Sequence, residues 1–171
     1  MSAASGTGAE RRYARRVPDP DVDLDLEQLA RQGRGILTVG WVANALFAVT
    51  AIPVAFGFDD IIGVAIGVAL LLFLVSVGTF VYAFGVGMAR SARGDNVAVA
   101  NLFFLQGSAP KPVKRDFLIL FLVCMAITVG TAAWEPFGVL VPMLPIGLAG
   151  VWAARYGVFP PRPPARPRRR A

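Results

Sequence analysis

The sequence predicts an all-α membrane protein: a four-transmembrane-helix bundle built from two helical hairpins, with both termini and two disordered tails in the cytoplasm. Three observations predict this fold. Hydrophobic residues make up 56% of the 171-residue chain, and they are concentrated in four long runs, as in membrane spans. The interiors of these runs carry no charge. All 17 Lys and Arg residues lie in the two terminal segments and in one connection between runs, and these three segments would be on the same side of a membrane.

Both ends of the chain have the composition of disordered tails. Residues 1–24 combine small residues with the basic RRYARR and the acidic PDPDVDLDLE, and residues 157–171 are rich in proline and arginine. Counted from Asp19, the acidic segment has Leu24 and Ala30 where a calcium-binding EF-hand loop has glycine and glutamate. Residues 25–35 are predicted to form a short juxtamembrane helix, because Asp25 and Gln28 have the spacing of a capping box.

Residues 36–58 and 61–88 are the first two predicted spans. The first has 23 residues without charge, and as a helix it would extend about 34 Å across roughly 30 Å of hydrocarbon. The second has 28 such residues, so we expect it to tilt or to extend beyond the bilayer. Only Asp59 and Asp60 separate the two spans, which predicts a tight hairpin with an acid at the positive N-terminus of the second helix.

A polar connection, residues 89–116, follows the second span. Its apolar stretch from Val97 to Leu105 is too short to cross a membrane. Asp95 and Gly107 are suited to begin and to end a helix. We therefore expect a short helix at about residues 96–106, which either lies at the membrane interface or docks onto the bundle.

Residues 117–134 and 136–156 are the third and fourth predicted spans. The fourth is long enough to cross, at about 32 Å as a helix, yet Pro142 and Pro145 lie within it. Because proline has no N–H and clashes with the preceding turn, we expect a kink in the outer half and a regular helix from Ile146.

The prolines create a hydrogen-bonding problem inside the membrane. They leave the carbonyl oxygens of Gly138 and Val141 without their usual helical donors. The third span returns at the same level, so Thr128 or Thr131 is predicted to supply a donor. Pro53 weakens the outer half of the first span at a similar depth.

Charge predicts the orientation. Six basic residues precede the first span, five lie in residues 89–116 and six follow from Arg155 onward, whereas the other two connections carry only Asp59, Asp60 and Glu135. The positive-inside rule then places both termini in the cytoplasm of a cell-membrane protein. The arginine clusters are expected to bind anionic lipid head groups, at about 1 kcal/mol per residue. Nucleic acid is not an expected partner, since topology already accounts for the basic residues.

Composition excludes several kinds of site. The chain has no histidine and one cysteine, Cys124, so we expect no Cys/His metal site, no cofactor and no histidine-based catalytic triad. We therefore predict that it is not an enzyme. Asn44 is the most polar side chain inside a span, and both an interhelical hydrogen bond and a substrate contact are consistent with it.

Small residues recur at the spacing of helix contacts. Gly63 and Gly67 form a GxxxG pair, and Gly147 and Gly150 lie three residues apart in the fourth span. Such residues let helices approach closely. Packing within one bundle and dimerisation are both consistent with this pattern.

Two classes of function fit these features. Four compact spans without internal charge favour a non-enzymatic accessory or scaffold subunit of a membrane complex. The alternative is a small oligomeric transporter or channel in which the proline-broken fourth span lines a path. Either class implies contact with the lipid bilayer and either a membrane-protein partner or a homo-oligomer.

Two segments carry a resemblance. NLFFLQGSAPKPVKRD at residues 101–116 and FGVLVPMLPIGLAGVWAARYGVFPPR at residues 137–162 resemble small uncharacterised four-span integral membrane proteins of high-GC Gram-positive (actinobacterial) bacteria. The resemblance implies a location in the cell membrane. It brings no catalytic residue and no cofactor with it.

Overall fold

The computed structural model describes residues 33–159 together with Gln28 and Arg31. Gln28 and Arg31 are helical and exposed. Most of the predicted juxtamembrane helix at residues 25–35 lies outside the described residues, and so do the predicted tails apart from residues 157–159. The described part of the chain is built from helices and contains no β-strand.

Within residues 33–159, five α-helices follow one another: α1 Arg34–Ala55, α2 Ile62–Ala92, α3 Val99–Phe103, α4 Lys111–Thr131 and α5 Met143–Tyr156. Two short 3₁₀ helices precede α2 and α5, at Asp59–Ile61 and Pro136–Leu140. Three stretches are long and apolar enough to cross a membrane: Arg34–Ala55, Asp59–Ala92 and Pro136–Tyr156.

α4 differs from these three stretches in its first turns. It begins with Lys111 and continues through the charged residues at 114–116, which leaves 15 residues up to Thr131 without charge. These 15 residues extend about 22 Å as a helix, less than the roughly 30 Å of hydrocarbon. The third predicted span, residues 117–134, therefore stays a prediction.

Pro53 ends α1 earlier than expected. The helix stops at Ala55, whereas the predicted span continues to residue 58. Pro53 lacks the N–H that would continue the helical ladder, and its carbonyl accepts hydrogen bonds from the amides of Phe56 and Phe58 in the turn that follows. Gly57, at a φ of +89°, provides the left-handed conformation that this turn requires.

The fourth predicted span is a broken segment and not a single kinked helix. Pro136–Leu140 forms a 3₁₀ helix, and α5 begins at Met143. Pro142 immediately precedes α5 and Pro145 lies in its first turn, where a helix has no internal acceptor for the N–H that proline lacks. The prolines therefore start a new helix at Met143. This is three residues before Ile146, the residue from which the sequence predicted a regular helix.

The basic ends of the helices collect at one end of the bundle, which we call the basic end. Trp152 of α5 lies against Gly33, next to the start of α1. Arg90, near the end of α2, donates to the carbonyl of Ala154 at 3.3 Å and pairs with Asp95 at 2.9 Å. A cavity lined by the first turns of α1 and α4 lies at the same end. The α1–α2 and α4–α5 connections lie at the opposite end.

α5 is the central element of the bundle. An apolar stretch of 18 residues in the segment Pro136–Tyr156, which contains α5, is 67% buried, whereas the corresponding stretches of the α1 and α2 segments are 28% and 22% buried. Two glycines allow this close packing. A Cβ atom on Gly147 would collide with the Thr79 hydroxyl, and one on Gly150 would lie 2.6 Å from the Phe103 ring and 3.0 Å from Cβ of Ala83.

Gly63 and Gly67 do not pack within the bundle. Both are exposed, and no atom lies within 4 Å of a Cβ atom built on either. The side of α2 that faces the core is formed instead by residues such as Ala65, Ala69 and Leu72. The prediction of close packing inside one bundle is therefore wrong for this pair, whereas dimerisation stays a prediction.

The short helix α3 docks onto the bundle. Leu102 and Phe103 are buried, and the Phe103 ring stacks on Phe80 of α2 with 4.7 Å between centroids. The helix occupies residues 99–103, within the predicted range of 96–106. Of the two positions that the sequence allowed, docking onto the bundle is the one observed.

Candidate functional site

The candidate site is centred on Glu135, in the connection between α4 and the 3₁₀ helix. The sequence placed this residue in a connection at the membrane surface, but its side chain is fully buried, at 0% exposure. The reason is local. Pro136 restricts the preceding residue to an extended conformation, and Glu135 adopts a φ of −130° and a ψ of 84°. Its neighbour Trp134 is 53% exposed, while Glu135 points inward.

Two elements enclose the carboxylate. Gly138 of the 3₁₀ helix lies so close that a Cβ atom on it would be 2.5 Å from Oε2 of Glu135. The same Cβ atom would be 2.8 Å from the ring of Phe47, a fully buried residue of α1. Position 138 therefore accepts only glycine while the carboxylate and the ring keep these places.

Neither carboxylate oxygen of Glu135 has a hydrogen-bonding partner of good geometry among the described residues. Burial raises the pKa of Glu135 above its ordinary value, and the nearby backbone amide of Gly138 opposes this effect. A buried charge without a partner is far more costly than a buried neutral group. The buried conformation therefore favours the protonated carboxyl group.

Thr128 supplies the donor that the prolines were predicted to require. Its Oγ1 donates to the carbonyl of Gly138 at 3.4 Å. Thr131 instead donates to Ile127 of its own helix, at 3.0 Å. The Gly138 carbonyl also accepts the amide of Val141 at 3.0 Å, so the 3₁₀ helix itself satisfies part of the backbone.

Asn44 makes the interhelical hydrogen bond that was one of its two predicted roles. It is buried, and Nδ2 donates to the carbonyl of Leu120 in α4 at 3.0 Å. Asn44 and Phe47 are three residues apart on one face of α1, so this bond lies one turn deeper than Glu135. Cys124 is buried on the face of α4 between Leu120 and Thr128.

The larger cavities lie away from Glu135. One of about 300 Å³ is lined by residues such as Phe104, Lys114 and Pro145. Another of about 390 Å³ lies between α1 and α4, with Arg34 and Asp116 in its wall. None of the residues placed next to Glu135, such as Phe47 and Gly138, lines either of these two cavities.

The structure thus brings together Glu135, Gly138, Thr128 and Phe47, of which Thr128 alone was predicted as a site residue; Gly138 was named only for its carbonyl oxygen. No group of three or more His, Cys, Asp or Glu side chains suited to a metal ion occurs in the described part of the chain. Comparison with family models, with curated proteins and with solved structures finds no match to this chain.

We predict that Thr128→Val lowers the free energy of unfolding by about 0.6–1 kcal/mol, because the bond to the Gly138 carbonyl is lost. Thr131→Val is the matched control: it is buried on the same helix, but its hydroxyl bonds only within α4, so we expect little change. Reversible unfolding in lipid–detergent micelles measures both. An equal loss in the two variants would contradict the role of Thr128.

Proposed function

We propose that this protein spans the cell membrane four times with both termini in the cytoplasm, and that it serves as a non-enzymatic accessory or scaffold subunit of a membrane complex. The positions of the charges support the topology. The basic residues of α1, α2, α4 and α5 lie at the basic end of the bundle, and the connections at the opposite end carry only acids, as the positive-inside rule requires.

Packing supports α4 as the third of the four spans. It lies alongside α1, which is long enough to cross a membrane, and the bond from Asn44 to Leu120 joins the two helices in their buried middle. Lys111, Lys114 and Arg115 are exposed at the start of α4. Long basic side chains there can reach the head groups while their stems cover apolar surface, so anionic lipid is the expected contact.

Cysteine labelling tests this topology. In a Cys124→Ser background, we expect Asp60→Cys to react with a membrane-impermeant maleimide in intact cells, because position 60 lies in the outer connection. Lys111→Cys should react only after the membrane is permeabilised. Both positions are exposed, so burial does not explain a difference. Labelling of position 111 in intact cells would contradict the proposed orientation.

The observation that carries the role of a subunit is a glycine stripe on α2, formed by Gly63, Gly67, Gly78 and Gly85. No atom lies within 4 Å of a Cβ atom built on any of the four. At 100° per residue they fall within about 60° of the helix circumference. The stripe therefore runs along one outward side of a helix of 31 residues.

Energetics favour a partner for this stripe. Each glycine in a helix interior lowers helix stability by about 1 kcal/mol relative to alanine. Contacts within the bundle do not compensate this loss at the four positions, because no atom approaches them. Glycines in membrane helices gain energy when a second helix approaches their backbone closely. A partner helix on the stripe would supply that gain, which supports a role in assembly.

Crosslinking within membranes followed by purification tests the role. We expect the wild-type protein to carry a stoichiometric partner, and we expect Gly67→Leu and Gly78→Leu to lose it, because a large side chain prevents close approach. Val75→Leu is the control, since it enlarges an exposed position of the same helix that lies about 60° beyond the edge of the stripe. Retention of the partner by both glycine variants would contradict assembly through the stripe.

The alternative is a small oligomeric transporter or channel that uses the broken fourth segment. Glu135 favours it, because buried acids within membrane bundles mark ion and proton pathways in many transporters. The same crosslinking experiment separates the two. Recovery of this chain alone, together with stabilisation by a transported ligand, would favour transport over the role of a subunit.

A further inference from the structure

Glu135 stands apart from the other acids of the molecule. Asp59 and Asp60 are exposed, and Asp95 and Asp116 are half-buried. Asp95 and Asp116 also have basic neighbours, at 2.9 Å and 3.8 Å. Among residues 33–159, Glu135 is thus the acid that is fully buried, and both its oxygens lack a hydrogen-bonding partner there.

The charged and titratable groups around Glu135 do not compensate a negative charge. On the elements packed around the site these groups are Arg34 of α1; Asp59 and Asp60 before α2; Tyr82 and Arg90 of α2; Lys111, Lys114, Arg115, Asp116 and Cys124 of α4; and Arg155 and Tyr156 of α5. The basic residues lie at the basic end, which is the far end of the bundle. The groups at the same end as Glu135 are the two exposed acids Asp59 and Asp60, so no basic side chain of these elements is placed to pair with its carboxylate.

We infer that Glu135 is a proton-binding site whose occupancy closes this end of the bundle. In the closed form the carboxyl group carries a proton taken from water and lies between Gly138 and Phe47. When the proton returns to water, the ionised side chain turns out to solvent and the 3₁₀ helix Pro136–Leu140 moves with it. The inference holds whether the protein acts as a subunit or as a transporter.

The local structure permits this movement. Glu135 joins the end of α4 to a 3₁₀ helix of five residues, and 3₁₀ helices have poorer hydrogen-bond geometry than α-helices. The bond from Thr128 to Gly138 is long, at 3.4 Å. The movement breaks this long bond and the packing of the 3₁₀ helix on α2 and α4, whereas α5 begins only at Met143 and keeps its packing.

Stability should depend on pH in a defined direction. Because the pKa of Glu135 is raised in the folded protein, the folded state binds more protons than the unfolded state between the two pKa values. The stabilisation from this group is fully present below the unfolded pKa and is lost as the pH rises through the folded pKa. Glu135→Gln removes this dependence because its amide does not titrate.

The test uses the full-length protein in lipid nanodiscs over a range of pH. Infrared spectra report the carbonyl band of a protonated carboxyl group, and its loss in Glu135→Gln assigns the band. Iodide quenching of Trp134 fluorescence reports movement next to Glu135, since Trp134 is 53% exposed. The Trp134 signal is identified by its loss in Trp134→Phe. Asp60→Asn is the control, because it removes an exposed acid at the same end.

We expect the wild-type protein to keep the Glu135 band to a higher pH than an exposed carboxyl group does and to lose it as the pH rises further, with a parallel change in Trp134 quenching. Glu135→Gln should keep the quenching of the closed form at every pH, and Asp60→Asn should behave as wild type. A Glu135 band that disappears in the same pH range as that of an exposed carboxyl group would overturn the inference. Trp134 quenching that does not follow the band would also overturn the inference. Both measurements are made on the wild-type protein, so they remain available even if Glu135→Gln fails to fold.

Discussion

The fold depends on one constraint: the backbone of the proline-broken fourth segment needs hydrogen-bonding partners in apolar surroundings. Lipid supplies none, so irregular backbone at membrane depth must be enclosed by protein. The 3₁₀ helix, the Thr128 hydroxyl and the start of α5 at Met143 provide these partners. The segment consequently occupies the middle of the bundle, and Gly147 and Gly150 let α2 and α3 close around it.

The same break explains the position of Glu135. Pro136 sets the conformation of the preceding residue, and Gly138 leaves the space into which the carboxyl group turns. The carboxyl group is held by shape, between Phe47 and the 3₁₀ helix, and not by ion pairs. A site held in this way is stable when neutral and unfavourable when charged. The glycine stripe lies on the outward side of α2, so the proposed assembly surface and the proposed proton-binding site are separate.

Much of the helical architecture was predictable from the sequence, because long uncharged runs have few alternatives to helices. The spacing of Thr128 from the prolines also predicted a donor, since a hairpin returns the chain at the same level. The burial of Glu135 was missed, because an acid at the end of an apolar run usually lies in a surface connection. The sequence features that indicate this burial are the apolar residues on both sides of Glu135 and the proline that follows it, in WEPF. The outward position of Gly63 and Gly67 could not be predicted, since spacing identifies a shared face but not its direction.

The central position of the broken segment is tested most directly by the stability of Gly150→Ala in lipid–detergent micelles. A Cβ atom on Gly150 would lie 2.6 Å from the Phe103 ring and 3.0 Å from Cβ of Ala83, so we expect this variant to lower the free energy of unfolding. Gly130→Ala in α4 should not lower it, because no atom lies within 4 Å of a Cβ atom built there. An unchanged or raised stability of Gly150→Ala would contradict the account.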